Sequence, residues 1–298
     1  DPINVYRKAK AYIQGHKDVG VYTSIKHFPG HGDTDKDSHK TLPVISGNMK
    51  RLNNVELFPF KRLIEDGLAE SVMLAHLSVP AIDKKYPSSL SYKTVGKLLR
   101  EEYNFDGITV TDALDMKGVL QDPAINVDLR SFEVGNDMIL MSTNVSLGVK
   151  LIADSYNRGK ISEERLSKSV KKILSLKARS GLHNYKEIAP KNILEKVNTP
   201  KDSLLYSKAM ESSITLVKNS KEIMPLSKNK KYLHVSFGKN ENSEFFTNKT
   251  AMYVDIERFN GDDYTSIHKK TDYDAIIITY HGCLLYTSDA ADDASSGG

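Results

Sequence analysis

Apolar runs alternate with stretches of helical spacing over the first 180 residues or so of the chain. VGVYTSIKHF (19–28) reads as a buried strand, and a charged loop leads from it to a helix around VELFPFKRLIEDG (55–67). SVMLAHL (71–77) is a second strand with a helix near SYKTVGKLLREEYN (91–104), and GITVTDAL (107–114) is a third, with a helical stretch running toward Glu133. DMILM (137–141) is a fourth, followed by helices around 145–158 and 162–180. In the last of these, Leu166, Val170, Ile173, Leu174 and Lys177 recur at helical spacing, and Gly181 supplies the stop. One more helix, at about 2–17, precedes the first strand.

Strands alternating with helices imply parallel βα units. A complete (β/α)8 barrel has eight such units and typically about 250 residues. Four units suit either a small doubly wound domain or the C-terminal half of a barrel. The polar stretch 183–202 reads as a linker with little core. After it, MESSITLVKN (210–219), KKYLHVSFG (230–238), AMYVDIERF (251–259) and YDAIIITYHG (273–282) read as strands that open a second α/β domain. The expected organisation is therefore 1–182, a linker at 183–202, a partial second domain at 203–282, and a tail at 283–298. That tail, CLLYTSDAADDASSGG, changes composition abruptly and resembles a translated sequencing-adapter scar, so it carries no functional weight.

Composition narrows the function classes. The chain has 298 residues, 39% hydrophobic and 27% charged, with a net charge of +4. These are values of a globular protein. Lysines alternate with glutamates, as in KLLREEY (97–103), which fits a solvated surface and not a nucleic-acid footprint. No apolar run approaches the roughly 20 residues that span a bilayer. The single Cys283 excludes an intrachain disulfide and leaves the compartment open.

Candidate chemistry concentrates in KHFPGHGDTDKDSHKTLP (26–43). His27 and His31 stand four apart, but Pro29, Gly30 and Gly32 forbid the helix that would aim both at one metal. Asp33, Asp35 and Asp37 match the first three ligands of a calcium loop. The pattern then fails at Ser38, where glycine is needed, and at Val44, where a bidentate Glu is needed. PGHGD also lacks the Lys-Ser/Thr pair that closes a phosphate loop. An acid/base reading fits better: a strand ends at Lys26 and His27, a Gly-rich loop follows, and Asp37 precedes His39 by two residues. A carboxylate in reach of that imidazole fixes its tautomer and raises its pKa toward general-acid use. The plainer alternative is that Asp37 caps a turn and His39 is merely exposed. Asp112 closes an apolar strand in GITVTDALDM (107–116), where it is either a presented carboxylate or a helix N-cap.

KHFPGHGDTDKDSH followed by LP, then VMLAH, then FDGITVTDALDM, resembles the β-N-acetylglucosaminidase branch of family 3 glycoside hydrolases, over residues 1 to about 240. The resemblance implies a retaining, two-step mechanism in a TIM-type barrel. Asp112 is then the nucleophile, and His39, oriented by Asp37, is the acid/base on its loop. Lys26 and His27 hold hydroxyls of the terminal sugar, and His76 is a secondary binding candidate. No metal or other cofactor and no obligate protein partner are implied; the partner is an amino-sugar glycoside. The implied function is exo-removal of terminal N-acetylglucosamine from peptidoglycan or muropeptide fragments. The alternatives are a β-glucosidase or β-xylosidase of the same superfamily, and a non-catalytic sugar-binding relative. Phosphorolysis stays open, because a neutral imidazole does not repel an incoming anion. Family members also carry an earlier half-barrel with an acidic sugar-binding residue and an arginine, which nothing here matches. The expectation is that this chain, as written, folds poorly and is inactive. SSITLVKNSKEIMPL (212–226) resembles the start of the α/β domain that follows the barrel in longer members.

Overall fold

The structure is a computed structural model that describes residues 1–34, 41–119, 122–187, 190–220, 222–238, 241–259, 267 and 272–281. The chain divides into two compact units, over residues 1–186 and 187–287.

The first unit is built on a parallel three-stranded sheet in the order β1 (Ser24–Phe28), β2 (Ser71–Leu74), β3 (Ile108–Thr111). Val72 pairs with Ile25 on one side and Thr109 on the other, so the carboxyl ends of all three strands lie together. Helix α1 (Pro2–Asp18) starts where the Asp1 carboxylate accepts from the Ile3 amide at 2.9 Å, with Pro2 in the first turn. The expected helix around 55–67 is α3 (Phe58–Glu65), and a further short helix, α2 (Met49–Asn54), precedes it. Pro59 keeps the two apart, because it cannot continue α2 but its fixed φ suits the first turn of α3. A π-helix, Lys93–Glu102, joins β2 to β3. Phe28, Leu57, Leu74, Leu77 and Leu99 are fully buried and form the centre of the core between sheet and helices.

Beyond β3, the structure departs from the apolar pattern in two places. DMILM contributes only a parallel bridge from Met138 to Val110, supported by the Thr111 amide donating to the Met138 carbonyl at 3.1 Å. Three helices follow: α4 (Val127–Glu133), α5 (Val145–Asn157) and α6 (Glu163–Arg179). α6 begins at the Ser162 cap and ends at Gly181, whose φ of +80° only glycine adopts freely. Its apolar stripe is not its buried face, since Val170 and Leu174 are exposed while Ser169 is 1% exposed. The inward face carries Arg165, Ser169 and Lys172. Arg165 donates to the Phe132 and Asn136 carbonyls at 3.1 and 2.6 Å, and Lys172 to the Gly107 carbonyl at 3.2 Å.

In the second unit, α7 (Ile193–Val197) and α8 (Pro200–Ser213) occupy the stretch read as a linker and its continuation. α8, capped reciprocally by Thr199 and Asp202, takes up the first four residues of the expected MESSITLVKN strand, and 214–219 are irregular. A second parallel sheet has the order β5 (Asp255–Arg258), β4 (Lys231–Gly238), β6 (Ala275–His281), with α9 (Glu241–Thr250) following β4. Tyr232, Val254 and Ile256 form its core. Among the described residues, no helix is long and apolar enough to cross a membrane.

Candidate active site

The carboxyl ends of β1, β2 and β3 bring three of the candidate residues together. His27 is the penultimate residue of β1, His76 lies two residues beyond β2, and Asp112 directly after β3. Asp112 is pinned by its own backbone, its amide donating to the Leu74 carbonyl at 2.8 Å. Its Oδ1 accepts from the Ala113 amide, also at 2.8 Å, and Oδ2 stands 3.8 Å from His27 Nε2. Asp112 is 3% exposed, so this carboxylate sits in a medium where its charge acts strongly on anything placed beside it. Lys26 alternates to the exposed side of β1. The Lys26–His27 and Phe28–Pro29 peptide bonds are cis.

His76 is enclosed, and the structure assigns its ring a bracing position instead of a ligand-facing one. Its Nε2 donates to the Ala113 carbonyl at 3.0 Å, because a carbonyl can only accept. Nδ1 is then the acceptor for the Ser89 hydroxyl at 2.7 Å. Burial pushes the His76 pKa below 6.5, opposed by the negative charge of Asp112. The ring is thus neutral in the fold and ties the residue after Asp112 to the Ser88–Leu90 turn. An unfolded chain regains the ordinary value of 6.5, so it takes up a proton first as pH falls. The resulting stability is full above that value and is lost as pH falls through it toward the lower native value. Thermal unfolding followed between about pH 7 and pH 5 is expected to show a falling midpoint, with a shallower slope in His76→Gln.

The Gly-rich turn after β1 is also built. Gly30 has φ +124°, its amide donates to the His27 carbonyl at 2.8 Å, and a Cβ on it would fall 2.7 Å from Glu56 Cβ. His31 Nδ1 and Thr34 Oγ1 are 2.8 Å apart, and the His31 ring meets His27 edge-on at 6.0 Å between centroids. Asp33 Oδ2 accepts from Arg51 Nη2 at 3.0 Å, and Arg51 Nε donates to Glu56 Oε1 at 3.1 Å. A cleft of about 830 Å3 opens here, with Tyr12, Lys26, His27, His31, Arg51 and Glu56 among its lining. Asp112 is not on that lining; His27 stands between the cleft and the carboxylate. Asp37 and His39 lie outside the described residues.

Sequence reasoning missed Arg51 and Glu56. The segment VELFPFKRLIEDG reads as helix and core, and the signal it held was Glu56 among the apolar residues of VELF. Among the described residues, no three His, Cys, Asp or Glu side chains gather as metal ligands.

Known proteins share this arrangement of elements. β-Hexosaminidase A of Pseudoalteromonas piscicida is 30% identical over 257 residues, which cover 79% of this chain and 42% of that protein. The structure of a glycoside hydrolase family 3 β-N-acetylglucosaminidase from Paenibacillus sp. str. FPU-7 aligns with a TM-score of 0.74 at 28% identity, over 94% of this chain and 57% of that one. The structure of the β-glucoside phosphorylase BglX aligns with a TM-score of 0.79 at 28% identity, over 94% and 55%. The chain thus spans about half the length of the proteins it matches. Its residues 1–176 match the model of the glycosyl hydrolase family 3 N terminal domain, and on that match the chain belongs to glycosyl hydrolase family 3.

Proposed function

We propose that this chain carries the catalytic residues of a retaining exo-β-N-acetylglucosaminidase that removes terminal N-acetylglucosamine from peptidoglycan or muropeptide fragments. The observation that carries the reading is the buried Asp112 carboxylate at a strand end, with one oxygen held by a backbone amide and the other turned toward His27. In this reading Oδ2 attacks the anomeric carbon of the terminal sugar as the glycosidic bond breaks, and His39, oriented by Asp37, gives its proton to the leaving oxygen. Water, deprotonated by the same imidazole, then releases the sugar from Asp112 with overall retention. His27 and Lys26 hold hydroxyls of that sugar. The sheet that bears these residues is proposed to be the C-terminal half of a (β/α)8 barrel, whose functional end is the carboxyl end of its strands. The β-hexosaminidase likeness supports the amino-sugar specificity.

A second reading has its own support. A β-glucoside phosphorylase structure aligns as well as the glucosaminidase does, so phosphate is an alternative acceptor in the second step. One assay separates them, made on a polypeptide of the relatives' length that contains this chain, called here the extended protein. It is expected to release nitrophenol from 4-nitrophenyl N-acetyl-β-glucosaminide, with the β-anomer of free sugar as first product. Preference for the glucoside would displace the first reading, and a sugar 1-phosphate formed in phosphate buffer would establish the second.

A further inference from the structure

The stretch that follows β3 is held by backbone bonds and by one imidazole. The Asp112 amide donates to the Leu74 carbonyl at 2.8 Å, and the Leu114 amide to the Leu140 carbonyl at 3.0 Å. Between them, Ala113 is gripped at both ends. Its amide donates to Asp112 Oδ1 at 2.8 Å, and its carbonyl accepts from His76 Nε2 at 3.0 Å. The residue that orients one carboxylate oxygen is therefore fixed by a side chain from just beyond β2.

His76 is held in turn. The Ser89 hydroxyl donates to Nδ1 at 2.7 Å, which leaves the ring proton on Nε2, facing Ala113. Ser89 is fully buried, and its carbonyl accepts from Nδ2 of the equally buried Asn136 at 2.9 Å. Next to it, the Ser88 hydroxyl donates to the Ala75 carbonyl at 2.5 Å, and the Leu77 amide donates to Ser88 Oγ at 3.1 Å. The Ser88–Leu90 turn is thus stapled to the chain on either side of His76. Stability alone does not call for such a network, because an apolar side chain fills buried space without needing partners. What the imidazole adds is a fixed direction.

We propose that His76 and Ser89 are positioning residues for the nucleophile: Ser89 sets the tautomer of the ring, and the ring sets Ala113, whose amide holds Asp112 Oδ1 and so keeps Oδ2 turned toward His27. This rests on the glycosidase reading above. Burial holds the ring neutral, so it steers the carboxylate without adding a positive charge that would weaken its attack. Misplacing a reacting group by about 1 Å costs up to about 100-fold in rate, so a bond of modest stability has a large kinetic effect.

Three variants of the extended protein separate the two ends of the ring. His76→Gln carries an amide out to the reach of Nε2 and keeps the bond to Ala113. His76→Asn reaches only as far as Nδ1 and loses that bond, and Ser89→Ala frees the tautomer. kcat/KM is measured on a dinitrophenyl N-acetyl-β-glucosaminide, whose leaving group needs no proton, and Ki for free N-acetylglucosamine reports ground-state affinity. His76→Asn is expected to lose about 50-fold in kcat/KM, Ser89→Ala about tenfold and His76→Gln no more than about fivefold, with Ki within about threefold throughout. Amide exchange in peptides spanning 108–116 is expected to quicken about fivefold in His76→Asn and less in His76→Gln, with peptides spanning 55–67 unchanged. Equal losses in the two His76 variants, a loss carried by Ki, or unchanged exchange overturns the proposal. Should His76→Asn not fold, Ser89→Ala decides: the tenfold loss at constant Ki upholds the proposal, and full activity overturns it. If the parent protein cleaves no such substrate, the glycosidase reading fails and exchange alone decides: faster exchange at 108–116 upholds the hold on Asp112, and unchanged exchange overturns it.

Discussion

Replacing Asp112 with alanine is expected to lower kcat of the extended protein by about 10⁴-fold or more while leaving sugar affinity within a few fold. The expectation follows from what surrounds the carboxylate. Asp112 is fixed at the end of β3 by a backbone bond to β2, and Ala113 holds one of its oxygens at 2.8 Å. The other oxygen is therefore held toward His27 in the free protein. Such preorganisation costs nothing at the moment of reaction and acts where water does not screen it. In the proposed mechanism, losing the carboxylate removes both the covalent path and the counter-charge for the oxocarbenium-like transition state. Asp112→Asn is the control for the fold, because its amide oxygen can still accept from Ala113. A sugar-binding relative without chemistry would have no turnover to lose.

The largest effect on stability is expected at the opposite end of the same sheet. Asp137, with its side chain 3% exposed, receives Arg100 Nη2 at 2.5 Å and lies 3.6 Å from Arg165 Nη1. It also accepts from the Thr109 amide at 3.1 Å and from the Ser169 hydroxyl. Arg100 extends the network to the Phe105 and Gly107 carbonyls at 2.9 and 2.6 Å. One carboxylate thus joins β3, the π-helix and α6. Asp137→Ala leaves two guanidiniums partly buried without their counter-charge, and breaking a buried pair in this way costs about 3–5 kcal/mol. Thermal unfolding is expected to show a loss of roughly 10 °C. A change of only a degree or two would mean that solvent reaches the arginines and screens them.

These two aspartates differ in how far the sequence announced them. Asp112 ends an apolar strand that is followed by a turn, so its exit to the functional face is legible from the pattern. His27 is legible for the same reason. Asp137 is not, because the apolar run DMILM hides an acidic residue whose partners, Arg100 and Arg165, lie far away in sequence. The same network explains why α6 misleads. Its regular apolar stripe points largely to solvent, and the face that packs is marked by Arg165, Ser169 and Lys172, which hydropathy counts as surface. Periodicity ranks residues by apolarity and cannot see that a guanidinium finds carbonyls to satisfy it. Arg51 and Glu56 escaped notice by the same logic, since their meaning arises only when the turn at Gly30 and Asp33 folds back on them. His76 sits at a legible strand end, but only the fold shows its two ring nitrogens bound to Ser89 and Ala113.

The most direct test of the central claim is to trap the sugar on the protein. The extended protein is incubated with a 2-deoxy-2-fluoro glycosyl donor bearing a good leaving group, which slows the second step more than the first, and is then digested and weighed by peptide mass spectrometry. The account predicts one glycosyl adduct, on the peptide containing Asp112, that is absent in Asp112→Asn. An adduct on another carboxylate, or turnover that inverts the anomeric centre with no adduct at all, would contradict it.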